Sequence, residues 1–108
     1  MLAVLAPGQG SQTPGFLAPW LESQFASDLL NSWSSAIDLD LRRLGTTADA
    51  DEIRDTANAQ PLLVAGGLIG AVTLFAGDDS TISFFAGHSV GEITAAALAQ
   101  VLDGASAM

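Results

Sequence analysis

The chain contains no cysteine, which excludes disulfides, thiolate catalysis and cysteine-ligated zinc or iron–sulfur sites. A single histidine, His88, excludes a histidine-rich metal site within the chain. Basic residues are scarce: three Lys and Arg stand against twelve Asp and Glu, giving a net charge of -9. Because nucleic acids and anionic membrane surfaces attract cationic proteins, we expect neither as a partner.

Charge of either sign is sparse in this sequence. Charged residues make up 14% and hydrophobic residues 49% of the 108 residues, whereas about a quarter of an ordinary domain is charged. This composition argues against disorder and indicates more buried surface than one small domain usually has. Two environments account for it: a membrane, or a larger protein of which this chain is a piece.

One long uncharged stretch, residues 57–77, has two interpretations. Its strongly apolar part starts only after Pro61, so it is shorter than the ~20 residues that a bilayer requires. We therefore favour a buried core helix, with a membrane span as the alternative. The N-terminal sequence MLAVLAPGQG lacks the basic region of a signal peptide, so we expect an unexported, cytoplasmic protein.

Hydrophobic patterning predicts strands at residues 2–6 and 81–86. The predicted helices, in chain order, are residues 16–37 with a break near 23–27, residues 38–43 ending at Gly45, residues 52–56 capped by Thr47 or Asp49, residues 60–76 with Pro61 in the first turn, and Val90 or Gly91 to Leu102. The order strand, helices, strand, helix is typical of an α/β fold with a parallel sheet. Two strands do not complete such a sheet, so each requires further neighbours.

The chemistry-bearing motif is the G-x-S-x-G pattern at residues 87–91, which reads GHSVG. It stands between a predicted strand and a predicted helix, as a nucleophile elbow requires. Such a turn exposes the Ser89 hydroxyl and directs the Val90 amide, together with the helix N-terminus, at a developing oxyanion. A chance match is the alternative, and the flanking elements favour the catalytic interpretation.

A nucleophilic serine needs a base, and the chain offers no good one. His88 adjoins Ser89 and is expected to project away from it, so a packed histidine with a satisfied ring nitrogen is the favoured interpretation. Glu92 lies in the first turn of the predicted helix, where it complements the helix dipole. Either the motif is accidental, or the base lies beyond Met108.

A second glycine-rich motif, GQGSQ at residues 8–12, follows the first strand. Its backbone amides are therefore expected at the same sheet edge as Ser89, where one of them can serve as a second oxyanion donor. A plain glycine-rich turn and a phosphate cradle are the alternatives. Neither G-x-G-x-x-G nor a Walker lysine is present.

Together, APGQGSQ at residues 6–12, AQP at 59–61 and AGHSVGE at 86–92 resemble the malonyl-CoA:acyl-carrier-protein transacylases of fatty-acid synthesis and the related acyltransferase domains of polyketide synthases. The resemblance spans nearly the whole chain but only the N-terminal third or so of the family domain. It implies that residues 1–108 are the N-terminal fragment of one acyltransferase domain. The implied fold is the N-terminal part of an α/β-hydrolase-like parallel-sheet core without the ferredoxin-like insert.

The resemblance implies a ping-pong acyl transfer. Ser89 takes the malonyl group from malonyl-CoA and passes it to the pantetheine thiol of acyl carrier protein, while the amides of Gln9 and Val90 map onto the oxyanion hole. No permanently bound cofactor and no metal is implied. The family's base histidine and carboxylate-binding arginine correspond to positions beyond Met108, so the isolated chain is expected to be inactive.

Three alternative functions remain at this point. One is the acyltransferase domain of a polyketide synthase, and another is a serine hydrolase or esterase with the same elbow. The third belongs to a different class: a small membrane-associated protein that uses residues 60–77 as an anchor.

Overall fold

The computed structural model describes residues 2–75, 82–99 and Met108. Its elements are β1 Ala3–Ala6, a 3-10 helix Trp20–Glu22, α1 Gln24–Ile37, α2 Leu41–Thr46, α3 Ala50–Arg54, α4 Thr56–Phe75, β2 Phe84–Gly87 and α5 Gly91–Leu98. This order confirms the predicted α/β class. The predicted turn at residues 77–80 and the end of the last predicted helix, residues 100–102, lie outside the described ranges.

The two strands pair in parallel. Ala3 lies opposite Phe84 and Ala6 opposite Gly87, so both strands end at the same edge. Helix α5 packs against both strands, and Ala6 is buried. The alternate side chains point to an open face, where Leu5 is 74% and Phe84 50% exposed. The first strand was predicted to be buried, and within the described residues only one of its faces is.

Helix α4 is the centre of the core. It packs against α1, α2, α3 and α5. Its buried residues are Ala59, Leu62, Leu63, Val64, Ala65, Leu68 and Ile69. The helix is also long and apolar enough to cross a membrane. Its mean hydropathy is 1.4 over 18 residues, of which 39% are buried. Length and composition alone do not separate the two interpretations, but packing against four helices is what a core helix does.

The segment before α1 corrects one prediction. A helix was predicted from Phe16, but the chain forms turns there and a short 3-10 helix, because Leu17 is held against α2 by its N–H bond to the Gly45 carbonyl at 3.0 Å. Helix α1 starts after Ser23, whose hydroxyl accepts from the Ala26 N–H. The predicted break near residues 23–27 is therefore confirmed.

Side-chain caps set the starts of the next helices. Asp38 ends α1 in a left-handed conformation, so α2 starts later than predicted, where Asp40 accepts from the Arg43 N–H at 3.1 Å. Asp49, one of the two predicted caps, accepts from the Glu52 N–H at 2.9 Å and starts α3. These bonds satisfy amides that a helix start leaves without partners.

Helix α4 begins four residues before the predicted start. The Asp55 carboxylate accepts from the Ala57 N–H at 2.9 Å and opens the helix there. Pro61 consequently lies inside the helix rather than in its first turn, and its missing N–H leaves the Ala57 carbonyl without a helical partner. Because Ala57 is exposed, solvent can satisfy that carbonyl.

An ion pair joins α2 to α3. The Arg43 guanidinium contacts both carboxylate oxygens of Glu52, at 2.9 and 2.5 Å. The hydrogen bonds from Arg43 lower the pKa of the Glu52 carboxyl, and Glu52 in turn raises the pKa of Arg43. Both side chains are partly exposed to solvent, at 49% for Arg43 and 37% for Glu52, so the pair contributes little to stability.

Candidate active site

The two glycine-rich motifs lie side by side at the end of the sheet. The His88 N–H extends the strand pairing by donating to the Ala6 carbonyl at 3.2 Å. A Cβ on Gly8 would lie 2.7 Å from the His88 carbonyl oxygen and 3.3 Å from the Ser89 Cβ. The loop that carries Gln9 is therefore in direct contact with the turn that carries Ser89.

Ser89 stands on a sharp turn between β2 and α5. Its side chain is exposed and its φ is 58°, a left-handed conformation that costs a residue with a Cβ roughly 1–2 kcal/mol. The turn is closed by the Gly91 N–H bond to the His88 carbonyl at 2.9 Å, and by the Glu92 N–H bond to the Ser89 carbonyl at 3.0 Å. A strained, exposed serine between a strand and a helix has the geometry of a nucleophile elbow.

Glycines on both sides make this tight turn sterically possible. A Cβ on Gly87 would overlap the backbone of Gly91. A Cβ on Gly91 would overlap the Ala6 carbonyl and lie 2.7 Å from the Pro7 carbonyl oxygen. The first and last positions of the G-x-S-x-G motif therefore lack side chains because β1, β2 and α5 meet there.

Two backbone amides at this edge are available as donors. Val90 precedes the first residue of α5, and its N–H has no acceptor within residues 2–75 and 82–99. The same holds for the N–H of Gln9 in the neighbouring loop. Amides left without partners at a helix N-terminus are suited to stabilise an anion.

The charged and titratable neighbours of Ser89 do not supply a base. His88 is exposed, and its Nδ1 lies 2.9 Å from where a Cβ of Gly8 would stand, so its ring lies across Gly8. The prediction that His88 is a packed side chain is therefore wrong. Glu92 is exposed in the first turn of α5, where it was predicted. In the described part of the chain, no group of three His, Asp or Glu could hold a metal ion.

Side-chain carboxamides connect the Gln9 loop to the helices behind it. The Gln9 Nε2 donates to the Thr56 hydroxyl at 3.2 Å. Gln60, from the AQP motif, lies one turn after Thr56 on the same helix and is exposed. Sequence reasoning placed Gln12 in a glycine-rich motif but predicted neither its contacts nor a role for Thr56, because these contacts depend on how α3 and α4 pack beside the loop.

A cavity of about 280 Å³ separates this loop from α3. Its lining residues are Gly10, Gln12, Pro14, Ala50, Ile53 and Arg54. Gln12 thus forms part of the cavity wall on the loop side.

No protein-family model matches the chain. The malonyl CoA-acyl carrier protein transacylase of Mycobacterium tuberculosis H37Rv is 55% identical over 107 residues, a match that covers 94% of this chain and 34% of the relative. The crystal structure of MCAT from Mycobacterium tuberculosis superimposes with a TM-score of 0.86 at 53% identity, over 99% of this chain and 36% of that one.

A second similar structure is a malonyl-transacylase in complex with its type II PKS acyl-carrier protein. It has a TM-score of 0.85 and 30% identity, over 98% of this chain and 35% of that one. The chain spans about a third of the length of the curated relatives it matches. In sequence and in fold, the chain is similar to the malonyl CoA-acyl carrier protein transacylases over about a third of their length.

Proposed function

We propose that the chain is the N-terminal part of an acyltransferase domain that moves a malonyl group from malonyl-CoA to the pantetheine thiol of acyl carrier protein. The observation that carries this proposal is Ser89, exposed at φ 58° after β2 and touching the loop of Gln9. The similarity to malonyl CoA-acyl carrier protein transacylases supports the choice of acyl group and carrier.

In the first half-reaction, the Ser89 Oγ attacks the thioester carbonyl carbon of malonyl-CoA. The N–H groups of Gln9 and Val90 donate to the oxygen of the tetrahedral intermediate, a contact that is strongest in the transition state. Collapse of the intermediate breaks the carbon–sulfur bond and leaves malonyl-Ser89. The proton taken from the serine hydroxyl goes to the departing CoA thiolate.

In the second half-reaction, the pantetheine thiol of acyl carrier protein attacks the malonyl ester. The same two amides stabilise the second intermediate. Its collapse breaks the ester bond to the Ser89 oxygen, leaves the malonyl group as a thioester on the pantetheine, and gives the proton of the thiol to the Ser89 oxygen. A general base is needed in both steps. We assign that base to polypeptide outside these 108 residues, because His88 lies across Gly8 and is the chain's one histidine.

The proposal includes the finer fold assignment. β1, β2 and α5 would form part of a larger α/β-hydrolase-like parallel sheet, with the ferredoxin-like insert outside residues 1–108. The open face around Leu5 and Phe84 supports this assignment, since parallel sheets are covered on both faces. Malonyl-CoA is the substrate, no cofactor is held permanently, and the location is the cytoplasm.

Transfer to a polyketide carrier protein is the second candidate, and one observation favours it. The similar malonyl-transacylase described above is bound to a type II PKS acyl-carrier protein. The chemistry at Ser89 is the same in both candidates, and only the carrier differs. The membrane-anchor alternative is less well supported, because α4 packs against four other helices.

The test is intact mass spectrometry of the full-length protein after incubation with malonyl-CoA. We expect one malonyl adduct in the wild type and none in Ser89→Ala. Ser35→Ala, which removes an exposed hydroxyl from α1, is the matched control and should acylate like the wild type. Addition of carrier protein should move the group to its pantetheine, whereas release of free malonate would favour a hydrolase. An adduct that survives in Ser89→Ala would assign the nucleophile to another residue.

A further inference from the structure

The Gln12 side chain uses both ends of its carboxamide. Its Oε1 accepts from the Gly10 N–H at 2.8 Å, and its Nε2 donates to the Ile53 carbonyl at 3.1 Å. The bond to the Ile53 carbonyl is partly buried, so water competes for it less than for a surface contact, whereas the bond from the Gly10 N–H is exposed. Gln12 therefore bridges the loop after β1 and the helix α3.

The α3 end of this bridge is firmly held. Ile53 is a fully buried residue of the main core cluster, which also contains Leu17, Leu44 and Leu62. Its carbonyl is consequently a fixed point. A hydrogen bond to a fixed point restrains the loop more effectively than a bond to another mobile side chain.

The loop end of the bridge has little packing of its own. Gly10 has a φ of 111°, and a Cβ placed on it would meet nothing among the described residues within 4 Å. The Gln9 side chain also bonds to Thr56, but both side chains are exposed, so water competes for that contact. Among the described residues, the Gln12 carboxamide is the acceptor that holds the Gly10 amide.

The position of Gly10 determines the orientation of Gln9. Gly8 lies against the His88 carbonyl on one side of Gln9, and Gln12 fixes the Gly10 N–H on the other. With both neighbours held, the peptide groups of Gln9 have little freedom to rotate. The Gln9 N–H has no acceptor in the described parts of the chain, so no bond of its own keeps it in place.

We propose that Gln12 is a positioning residue for acyl transfer: its carboxamide ties the loop to α3 and so keeps the Gln9 N–H beside Ser89. This inference rests on the proposed function. Gln12 acts through the loop and does not itself contact the reacting atoms. Its contribution is the placement of a donor whose loss costs about 10²–10³ in kcat in a well-studied serine protease.

The test compares Gln12→Ala and Gln12→Glu with the wild type in the full-length protein. Gln12→Ala should lower kcat for malonyl transfer by about tenfold to a hundredfold, with KM for malonyl-CoA changed less than about twofold. This split is expected because the Gln9 donor acts mainly in the transition state. Hydrogen exchange should show faster exchange of the Gly10 amide. Gln24→Ala, which removes a carboxamide bonded to Asp28 on α1, is the matched control and should leave kcat unchanged.

Gln12→Glu separates positioning from folding because it is nearly isosteric. At neutral pH its carboxylate accepts from Gly10 but cannot donate to the Ile53 carbonyl. As the pH falls toward the usual glutamate pKa of about 4.3, protonation restores the donor. The rate relative to the wild type should therefore recover at lower pH, which a general loss of stability would not produce. If Gln12→Ala fails to fold, this pH profile carries the test.

Three results would overturn the inference. A kcat of Gln12→Ala equal to that of the wild type would do so, as would a rise in KM alone, which would indicate substrate binding. A Gln12→Glu rate that shows no relative recovery at lower pH would also do so. If the wild type itself forms no malonyl-Ser89, the proposed function fails, and the inference falls with it for a separately visible reason.

Discussion

At the scale of single residues, the backbone of Ser89 is the feature that separates this turn from an ordinary loop. In the described residues, Asp38 is the other non-glycine residue with positive φ, and it ends a helix, where left-handed residues are common. Ser89 instead lies two residues before the start of α5. Its conformation persists because Gly87 and Gly91 let the strand, turn and helix approach without clashes. The strain thus serves to expose one hydroxyl.

Gly8 provides a test of the contact between the two site loops. In Gly8→Ala, the new Cβ would stand 2.7 Å from the His88 carbonyl oxygen, which is backbone and cannot rotate away. The Gln9 loop must then move off the Ser89 turn. Because displacements of about 1 Å can cost on the order of a hundredfold in rate, we expect malonyl transfer by the full-length protein to fall about tenfold to a hundredfold.

The measurement is the steady-state rate of malonyl transfer, with a thermal melt to confirm folding. Gly70→Ala adds the same methyl group where no described residue lies within 4 Å, and it should retain full activity. Wild-type activity in Gly8→Ala would mean that the contact between the loops is not needed for the reaction.

The residue scale also shows where sequence reasoning reached its limit. Ser89, Gln9 and Val90 were identified because local motifs determine a turn, and a strand–turn–helix context can be read from neighbouring residues. Gln12 was part of a recognised motif, but its partner Ile53 is 41 residues away in the chain. No local pattern predicts such a contact, because it depends on how α3 packs against the loop.

At the scale of elements, helix starts followed the capping residues more closely than the hydrophobic pattern. Asp49 was correctly proposed as a cap, since a carboxylate before an acidic first turn satisfies an N–H group and the helix dipole together. The start of α4 was missed because Pro61 is typical of a first turn, whereas the Asp55 cap opens the helix earlier. The Asp55 cap therefore outweighed the preference of Pro61 for the first turn of a helix.

Helix α4 contains two glycines with opposite expected responses to alanine. A Cβ on Gly67 would lie 2.6 Å from the Cγ2 of Thr94, a buried, β-branched side chain of α5 with little rotameric freedom. We expect Gly67→Ala to destabilise the full-length protein by about 1–3 kcal/mol through overpacking. Gly70→Ala has open space and should stabilise it by about 0.5–1 kcal/mol, since alanine favours helix.

Urea denaturation midpoints of the two variants provide the measurement. The paired design cancels the common gain in helix propensity, so the difference between the variants reports the α4–α5 contact alone. Because α5 begins at the Ser89 turn, Gly67→Ala should also lower activity, and Gly70→Ala should not. Equal stability of the two variants would contradict close packing between α4 and α5.

At the scale of the whole molecule, the composition and the sheet both indicate apolar surface that the described residues leave uncovered. The sequence has few charges, and the structure leaves one face of its two-stranded parallel sheet open, with Leu5 and Phe84 largely exposed. The parallel pairing and the need for additional neighbours followed from the order of elements. The sequence did not reveal which strand face is open, because apolar residues occupy both faces of β1.

The open face predicts that the same substitutions will make the isolated 108-residue chain less prone to associate and the full-length protein less stable. In the isolated chain, Leu5→Thr combined with Phe84→Thr removes exposed apolar surface, so hydrophobic-dye binding and self-association should decrease. In the full-length protein, where we propose that further polypeptide covers this face, the same pair should lower stability by about 2 kcal/mol or more.

Phe25→Thr is the matched control, because Phe25 is an exposed aromatic residue on α1, away from the sheet. It should change the dye binding of the isolated chain and the stability of the full-length protein only slightly. Dye fluorescence and sedimentation report on the isolated chain, and urea denaturation reports on the full-length protein. If the full-length protein tolerates the double substitution without loss of stability, the face is open there too. The larger parallel sheet would then have to continue from the strand edges alone, without a layer over Leu5 and Phe84.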